Sequence, residues 1–595
     1  MGDFFKTFLA VLMALAVFTV LAYVVLVAFL TEAPTAIPDR AVLVIDLDRP
    51  ITDKPCVSDA SDVLTGAPLD AFTLHLLTEA IGRAADDARI EGILLHGEIN
   101  ASGLSSGWAA LREVRTALGA FRKKGKKVYA YNMAFGERDY YLASVADAIY
   151  INPAGLLEFN GFAAERLFYA GAFAKYGVDV QITRVGKYKA AVEPYTLHKM
   201  SEPSREQLEK FLGDMFDEFL EAVSTAREIP VDALRHLTEG GGLLGGHDAV
   251  TAGLADRALY FDEVIEELKG ATSRRGTTFE QVSVTDYIDA ADGDAEPADG
   301  AKRIAVIFAE GDIVDGRDAV EAGGDTIARL LRRARLDDDV AAVVLRVNSP
   351  GGSASASEVI LREVKLTGEK KPIVVSMGSV AASGGYWIAC AADEIVAEPN
   401  TITGSIGVFG MFPSFRDLLG KFGVTVDVVA TAPHADMFSV YRPKTEEELA
   451  IFQDLVNRTY DEFLDRVSQG RSLDRETVHV IAQGRVWSGK DAVELGLVDR
   501  LGGFDEALRR AAARAGMEAD CPVEYYQKEK ILLEGLADLF LRDDEKLARV
   551  PSDARRGGGM IRRSVNRFLD DLRMFDRFND PKGIYARLPW NITIE

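Results

Sequence analysis

Two copies of one sequence unit follow each other in this chain, and this duplication constrains the fold more than any other feature. ALREVR, which begins at Ala110, matches ILREVK, which begins at Ile360, at an offset of 250 residues. The later matching pairs include AKYGVDV (174–180) with GKFGVTV (420–426), at an offset of 246, and GHDAVTAGLADRAL (246–259) with GKDAVELGLVDRLG (489–502). A repeated unit of roughly 200 residues predicts two similar domains in tandem.

Within each copy, short apolar runs alternate with helical patterns. AAVVLRV (341–347) and KPIVVSM (371–377) are nearly continuous apolar runs, and SEVILREVKLTG (357–368) has helical spacing. Continuous apolar strands are typical of parallel sheets that helices cover on both faces. We therefore expect an α/β fold with mostly parallel sheets in both copies.

The remaining segments surround the two repeats. The polar stretch DAADGDAEPADG before residue 301 is typical of a linker, and a glycine-rich stretch with an amphipathic pattern near the end predicts a helical tail. The predicted organisation is a stub at 1–6, an apolar segment at 7–30, a first repeat at 40–270, a linker at 271–300, a second repeat at 301–516 and a helical tail at 517–595.

The apolar segment at 7–30 predicts a membrane anchor. It has no charged side chain over 24 residues, and about 20 residues cross a bilayer core. The apolar region of a cleaved signal peptide is shorter, about 7–15 residues. Lys6 gives a weak positive-inside bias, so we expect a cytoplasmic N-terminus and an exported body.

Charge and composition exclude several classes of protein. The net charge of −24 excludes the basic surface of a nucleic-acid binder. Cys56, Cys390 and Cys521 have neither metal-ligand spacing nor the number needed for a disulfide framework. Because nucleotide-binding fingerprints and paired metal-ligand spacings are also missing, we expect no nucleic-acid partner, no cofactor and no metal.

Two small-residue loops occur in the second copy only. The first copy lacks the glycine pair of NSPGGSA (348–354). It also has Glu137 in place of Ser383, which lies in the turn ASGG. Glycines let backbone N–H groups turn toward a ligand. Ser383 is therefore the candidate nucleophile, and we expect the N–H groups of Gly351 and Gly384 to form an oxyanion hole, with Gly352 as the substitute.

The candidate base comes from the first copy. RVGKYKAAVEPYT (184–196) contains Lys189, whose equivalent in the second copy is Ala435. Each copy lacks what the other has, which predicts one site shared by both. A lysine acts as a base only when neutral, and burial at a domain interface can lower its pKa from the ordinary value of about 10.4.

Two other polar residues are candidates for roles near this site. Ser405, in TGSIGV, is replaced by Phe159 in the first copy. It can either orient the lysine or cap a helix, and the pattern does not decide between the two. His434, beside Ala435, is the histidine with the best position for an alternative base, and we interpret it as a polar loop residue.

Taken together, these motifs resemble the signal peptide peptidase A family in its long, duplicated form. The resemblance covers nearly the whole chain and rests on RVGKYKAAVEPYT, NSPGGSASASE, SMGSVAASGGYWIACAAD, TGSIGVFG and GRVWSGKDAVELGLVDRLGGFDEA. It implies a ClpP/crotonase-like fold with Ser383 as nucleophile, Lys189 as general base, Ser405 in support and no cofactor.

The resemblance also implies a biological setting. The expected protein is a serine endopeptidase that degrades cleaved signal peptides and other hydrophobic peptides. It would be a homotetramer around an enclosed cavity, anchored in the cytoplasmic membrane with its body on the periplasmic side. Two alternatives stay open: a crotonase-like enzyme that uses NSPGG to polarise an acyl-CoA thioester, and a catalytically silent membrane scaffold.

Overall fold

The structure, a computed structural model, covers most of both repeats. It describes residues 37–54, 71–99, 104–272, 276–291, 300–318, 320–526 and 579–588, together with Met13 and Phe18. The stub predicted at 1–6 and nearly all of the anchor predicted at 7–30 lie outside these residues. Within the described parts of the chain, no helix is both long and apolar enough to cross a membrane.

The first half of the chain forms a seven-stranded sheet from its apolar runs. The strands of this half are β1 (Ala41–Asp46), β2 (Ile51–Thr52), β3 (Phe72–Thr73), β4 (Ile90–His96), β5 (Lys127–Phe135), β6 (Ala148–Glu158), β7 (Asp179–Arg184), β8 (Leu243–Gly245), β9 (Arg257–Ala258) and β10 (Gln281–Ser283). The sheet order is β10-β1-β4-β5-β6-β8, with β9 beside β6. All its neighbours are parallel except β6 with β8.

The second half forms an eight-stranded sheet of the same kind. The strands of this half, together with two from the tail, are β11 (Arg303–Glu310), β12 (Ile313–Val314), β13 (Ala322–Gly323), β14 (Val340–Ser349), β15 (Gly351–Ser353), β16 (Ile373–Ala382), β17 (Glu394–Ala397), β18 (Ile402–Gly404), β19 (Phe409–Ser414), β20 (Val486–Ser488), β21 (Arg500–Leu501), β22 (Val523–Tyr526) and β23 (Ile584–Arg587). The order is β20-β18-β16-β14-β11-β22, with β17 beside β16 and β21 beside β17, and only β18 with β20 is antiparallel.

Helices cover both faces of each sheet. They are α1 (Leu74–Asp86), α2 (Trp108–Lys123), α3 (Glu137–Ala143), α4 (Ala170–Tyr176), α5 (Glu193–Thr196), α6 (Glu202–Arg227), α7 (Val231–Glu239), α8 (Gly246–Thr251), α9 (Phe261–Thr272), α10 (Val284–Ala291), α11 (Gly324–Leu336), α12 (Ala354–Gly368), α13 (Gly384–Ala389), α14 (Arg416–Lys421), α15 (Glu446–Arg471), α16 (Arg475–Ile481), α17 (Gly489–Glu494) and α18 (Phe504–Ala515). Leu43 of β1 lies in the core with α1 and α2, whereas Val42 lies in a second core with α9. In the second half, Ile307 of β11 packs in a core with α11 and α12, whereas Val306 packs in another core with α18.

This arrangement explains the sequence pattern and repeats it twice. Successive side chains of a strand point to opposite faces, so strands covered on both faces read as apolar runs. Strands β1, β4, β5 and β6 correspond to β11, β14, β16 and the pair β17–β18. The predicted tandem α/β architecture with mostly parallel sheets is confirmed, whereas the ClpP/crotonase-like assignment stays a prediction.

A third sheet joins the two halves. Its order is β13-β12-β15-β23-β19-β7, so that it contains one strand of the first half and one strand of the tail. Strand β7 pairs antiparallel with β19 over six residues, from Asp179 opposite Ser414 to Arg184 opposite Phe409. This pairing carries the segment that follows β7 to the face of the second half.

Two segments differ from the sequence-based expectation. The stretch 271–300 contains β10 and α10, and β10 pairs in parallel with β1, so the folded part of the first half extends beyond the predicted boundary. In the tail predicted to be helical, the described residues include two strands and no helix: β22 pairs with β11, and β23 with β15 and β19. Without these two strands, the neighbouring strands would have unpaired backbone N–H and C=O groups on that side. The segment that carried the helical pattern lies outside the described residues.

A buried ionic network also joins the halves. Arg346, on β14, donates from Nε to Asp53 Oδ1 and from Nη2 to Glu113 Oε1, both at 2.7 Å. Asp53 follows β2 and Glu113 lies on α2, so both acids belong to the first half. All three side chains are buried. Burial raises the pKa of Glu113, and the guanidinium of Arg346 opposes that rise.

Replacing Arg346 with methionine is expected to lower the free energy of unfolding by about 3–5 kcal/mol, because two buried carboxylates lose their counter-charge. The loss should be smaller at pH 5 than at pH 7, since an unpaired buried carboxylate takes up a proton more readily. Urea denaturation at both pH values measures it. Arg458→Met, which removes an exposed partner of Asp454, is the control and should change stability by less than about 1 kcal/mol. An equally small effect of Arg346→Met would contradict a role for the network in joining the halves.

Candidate active site

Ser383 lies between β16 and α13, where the backbone has an uncommon conformation. Its φ is 56° and its ψ is −111°, a combination that costs a residue other than glycine on the order of 1–3 kcal/mol. The Ser383 N–H donates to the Gly404 carbonyl oxygen at 2.8 Å and ties the turn to β18. Strained residues of this kind concentrate at active sites. The strained backbone therefore supports Ser383 as an active-site residue independently of the sequence motif.

The loop that carries Lys189 is held against the second half by hydrogen bonds to its backbone. The Tyr188 N–H donates to the Gln483 carbonyl oxygen at 3.0 Å. Gln207, on α6, donates to the Tyr188 carbonyl oxygen at 3.0 Å and accepts from the Val486 N–H at 3.1 Å. Because Gln207 is buried, water does not compete for these bonds, and the lysine enters the interface from a fixed position.

The amine of Lys189 meets the hydroxyl of Ser383 in this interface. Lys189 Nζ lies 2.7 Å from Ser383 Oγ, and 3.0 Å from both the carbonyl oxygen and the Oγ of Ser405. The three side chains are fully buried. Burial, and next the positive charge of Arg587, hold the pKa of Lys189 well below its ordinary value. A neutral amine donates its two N–H groups to Ser405 and turns its lone pair toward the Ser383 O–H, so this arrangement can remove the hydroxyl proton.

The two glycines predicted as oxyanion donors lie together beside the serine. Gly351 has a φ of 95°, and a Cβ built on it would stand 2.6 Å from the backbone nitrogen of Gly384. The carbonyl oxygen of Ala586, on β23, lies against both: it would stand 2.2 Å from that Cβ and 2.9 Å from one built on Gly384. A peptide carbonyl can come this close only because neither residue has a side chain.

The Gly351 N–H donates to Ser349 Oγ at 3.2 Å in this state. Gly352, the predicted substitute, pairs with Ala586 on one side and with Ile313 on the other. It is therefore part of the sheet ladder. Gly351 also belongs to this ladder, opposite Arg587, but it is Gly351 whose Cβ would stand 2.6 Å from the Gly384 nitrogen, so Gly351 is the glycine of this pair that faces Gly384.

The structure separates the two other candidates. Ser405 contacts the amine, and residues 406–408 after it belong to no helix before β19 begins at Phe409, so the helix-cap interpretation is wrong. The ring nitrogens of His434 lie 3.6 Å from Glu447 Oε1 and 3.8 Å from Glu448 Oε1, at the start of α15. Neither contact involves the serine–lysine pair.

The equivalent place in the first half holds a carboxylate. Glu137, which aligns with Ser383, accepts hydrogen bonds from the N–H groups of Asn160 and Gly161 at 2.9 and 3.1 Å. Burial raises its pKa. Here a side-chain carboxylate occupies the backbone donors, so this place in the first half has no serine hydroxyl for a base to activate.

Sequence reasoning missed two glycines that make room for the lysine. A Cβ on Gly484, whose φ is 80°, would lie 2.6 Å from the Lys189 backbone nitrogen, and one on Gly407 would lie 3.4 Å from the Lys189 Cδ. Both glycines stand in motifs of the second copy, but their neighbour comes from the first. A single sequence does not reveal such a contact before the halves are placed together.

Comparison with known proteins identifies the family of this chain. Residues 120–273 and 365–518 each match the family described as Peptidase family S49. Protease 4 of Haemophilus influenzae is 36% identical over 589 residues, which are 95% of this chain and 94% of that protein. Serine protease SPPA, chloroplastic, of Arabidopsis thaliana is 32% identical over 535 residues, 89% of this chain and 76% of that protein. A putative signal peptide peptidase SppA of Enterococcus faecium is 39% identical over 179 residues, 30% of this chain and 52% of that protein. The chain therefore belongs to peptidase family S49 and is a serine protease.

Proposed function

We propose that the chain is a membrane-anchored endopeptidase in which Ser383 is the nucleophile and Lys189 the general base. The observation that carries the proposal is the 2.7 Å separation of Lys189 Nζ and Ser383 Oγ in a fully buried setting. Ser405 has the supporting role, because its carbonyl oxygen and its Oγ accept hydrogen bonds from the two N–H groups of the neutral amine. The lone pair of the amine is then left to take the Ser383 proton.

The mechanism follows from the geometry. Neutral Lys189 takes the Ser383 proton while the oxygen attacks a peptide carbonyl, and the N–H groups of Gly351 and Gly384 stabilise the resulting oxyanion. The protonated lysine then gives its proton to the leaving amine. A water molecule activated by the same lysine hydrolyses the acyl-enzyme and frees the serine.

The proposed substrates are cleaved signal peptides and other hydrophobic peptides. The printed names of two relatives, Protease 4 and the putative signal peptide peptidase SppA, support this class. The uncharged segment at 7–30 supports an anchor that holds the enzyme beside such peptides. We place the N-terminus in the cytoplasm and the body on the periplasmic side of the cytoplasmic membrane, following the bias at Lys6.

A homotetramer is the proposed assembly, and the duplication suggests how copies join. Strand β7 pairs with β19 inside one chain. At the offset of 246, residues 425–430 are the equivalent of β7, and residues 163–168 are the equivalent of β19. Neither segment belongs to a helix or a strand in the part of the chain described. The first is exposed throughout, and Val429 is 98% exposed.

The two equivalents lie in one chain, so each can pair with the complementary segment of the next copy. Residues 425–430 of one copy would add to residues 163–168 of its neighbour as β7 adds to β19. Such a head-to-tail contact closes into a ring when the rotation allows it. The apolar side chains of 425–430 would then be covered rather than exposed.

The double variant Val426→Asp/Val428→Asp is expected to dissociate the assembly, because it places charges at alternate positions along one pairing strand. Light scattering coupled to size-exclusion chromatography, in detergent, should show a monomer in place of four copies. The matched control, Val359→Asp/Val480→Asp, changes two exposed helical valines and should leave the mass unchanged. An unchanged mass for the strand variant would rule out this contact.

A fluorophosphonate probe tests the catalytic proposal on the full chain. We expect it to label the native chain on Ser383 and to leave Ser383→Ala unlabelled, with parallel loss of cleavage of a hydrophobic peptide. Labelling that persists in Ser383→Ala would remove the nucleophile. Labelling of Ser383 without cleavage of hydrophobic peptides would remove the proposed substrate class, and no labelling of a folded chain would remove Ser383 as the activated nucleophile.

A further inference from the structure

Arg485, just before β20, packs its guanidinium group against two aromatic rings. Its Cζ lies 4.8 Å from the ring centre of Tyr188 and 4.5 Å from the ring centre of Trp487. Tyr188 belongs to the loop of the first half that carries Lys189, whereas Trp487 lies on β20 of the second half. A guanidinium group is attracted by the negative face of an aromatic ring and is only weakly hydrated. Arg485 therefore joins the lysine loop to the second half.

Polar contacts fix the same tyrosine. Arg485 Nη1 donates to Tyr188 Oη at 3.0 Å and lies 3.2 Å from Glu206 Oε1, on α6. The Tyr188 hydroxyl in turn donates to the Glu206 carboxylate, with 3.2 Å to each oxygen. The amine of Lys187 also lies over the ring, at 4.9 Å, but it comes from the same loop and ties it to nothing in the second half. The ring and the hydroxyl of Tyr188 are thus both held, one residue before Lys189.

The backbone of Arg485 contacts the other neighbour of the catalytic amine. Its carbonyl oxygen accepts from the Ser405 N–H at 2.7 Å. Ser405 accepts from the Lys189 amine at 3.0 Å, through both its carbonyl oxygen and its Oγ. One residue therefore holds Tyr188 with its side chain and Ser405 with its main chain.

The first half shows which of these two contacts needs the arginine side chain. Gly246 aligns with Gly489, so the equivalent of Arg485 in the first copy is Gly242. The backbone bond is kept there, because the Phe159 N–H donates to the Gly242 carbonyl oxygen at 2.7 Å. The guanidinium group is thus not required for this turn of the chain. It occurs in the copy that faces the lysine loop, which points to a role in the contact between the halves.

We propose that Arg485 is a positioning residue for the reaction, and that it clamps Tyr188 so that the Lys189 amine stays at the Ser383 hydroxyl without water around it. This inference rests on the proposed function, since it takes Lys189 to be the general base. Arg485 does not exchange the proton itself and acts through the lysine loop.

The clamp has a consequence for the protonation of the amine. Burial, and next the charge of Arg587, lower the pKa of Lys189. A loop released from Arg485 would let water reach the amine, and hydration favours the charged form. Release should therefore raise the pKa of Lys189. A rise of about one pH unit makes the neutral amine about tenfold scarcer below the native pKa and leaves it unchanged well above the raised pKa.

The pH profile of kcat/KM tests this proposal on the full chain with a hydrophobic reporter peptide. Arg485→Met keeps the length of the side chain but removes the charge and the planar group. We expect kcat/KM to fall about tenfold below the native midpoint, the midpoint to rise by about one pH unit, and the plateau at high pH to stay near the native value. A merely structural role would lower kcat/KM by the same factor at every pH, and that result would overturn the proposal.

A second variant removes the other side of the clamp. Trp487→Leu introduces the side chain that the first copy has at the aligned position, Leu244, so the turn tolerates it. It should move the midpoint in the same direction, even where Arg485→Met does not fold. The matched control is Lys187→Met, which removes the other cation over Tyr188 and should leave the profile unchanged.

A double-mutant cycle asks whether Arg485 acts through Tyr188. Tyr188→Leu removes the ring and should raise the midpoint about as much as Arg485→Met does. Because both changes break one contact, Arg485→Met should have little further effect in the Tyr188→Leu chain. Fully additive losses would contradict a clamp between these two side chains.

The inference and the proposed function fail in different ways. Native midpoints in Arg485→Met and Trp487→Leu, together with an inactive Lys189→Met, would remove the role of Arg485 and leave the serine–lysine mechanism in place. An active Lys189→Met chain would remove the general base itself, and with it the reason for a clamp on its loop.

Discussion

Replacing Lys189 with methionine is expected to lower kcat/KM by about 10³–10⁴-fold and to make the folded chain more stable. The loss follows because, among the residues the structure describes, the other hydrogen-bond partner of Ser383 Oγ is the Gly407 carbonyl oxygen at 3.4 Å, which is not a base. General-base catalysis contributes about 10²–10⁴-fold, and the serine hydroxyl is a poor nucleophile without it. Peptide hydrolysis and fluorophosphonate labelling rates measure the loss.

The gain in stability has a definite dependence on pH. The native pKa of Lys189 is lowered, so between that pKa and the ordinary value of about 10.4 the unfolded chain binds more protons than the native chain. Stability of the native chain therefore rises with pH across this window, and the cost of burial is largest below it. Each unit of lowering corresponds to about 1.4 kcal/mol. The advantage of Lys189→Met should be greatest at low pH and disappear as pH approaches about 10.4.

Two controls make the result specific to the amine. Lys187→Met changes an exposed lysine two residues away and should leave activity unchanged. Lys189→Arg keeps a positive charge that cannot be removed and should be as inactive as Lys189→Met, without its stability. A Lys189→Met chain that kept a tenth of native activity would show that another group takes the serine proton.

The same pKa shift predicts the pH profile of the native enzyme. Activity should rise with pH as Lys189 deprotonates and should reach its plateau well below pH 10.4, the ordinary range of an exposed lysine. The profile of kcat/KM measures this pKa in the free enzyme. A midpoint near the ordinary value would mean that the amine is hydrated in solution, and the burial that lowers its pKa would be absent.

The main elements of the fold and the proposed catalytic pair could be predicted from the sequence. Apolar runs determine where parallel strands lie, because both faces of each strand are covered. Lys189 and Ser383 could be paired because duplication left one copy with the base and the other with the alcohol. Each half thus served as a comparison for the other, and the structure brings the two residues together at the interface.

The strand partners of the third sheet could not be predicted. Strand propensity reflects the surface on which a segment packs, and it does not identify the neighbouring strand. The segment 584–588 reads IYARL, an apolar run with one arginine, and nothing local to it points to Gly351 or to Phe409. Arg346 similarly lies in an apolar run, and its counter-charges come from distant parts of the first half. These contacts depend on how the two halves meet.

Replacing Gly351 with alanine is expected to lower kcat by about 10²–10³-fold, the effect of losing one oxyanion donor. The added methyl would stand 2.6 Å from the Gly384 nitrogen and 3.0 Å from the Ala382 carbonyl oxygen, so the loop must move away from the serine. The positive φ of 95° adds strain of its own. Steady-state kinetics on a hydrophobic peptide separate the expected fall in kcat from any change in KM.

Gly316→Ala controls for the backbone strain alone, because Gly316 also has a positive φ, of 77°, but a Cβ there meets no atom within 4 Å. It should cost about 1 kcal/mol of stability and leave kcat unchanged. The new methyl of Gly351→Ala would also stand 2.2 Å from the Ala586 carbonyl oxygen, so β23 must shift together with the loop. A kcat equal to that of the native enzyme would mean that Gly351 supplies no oxyanion donor.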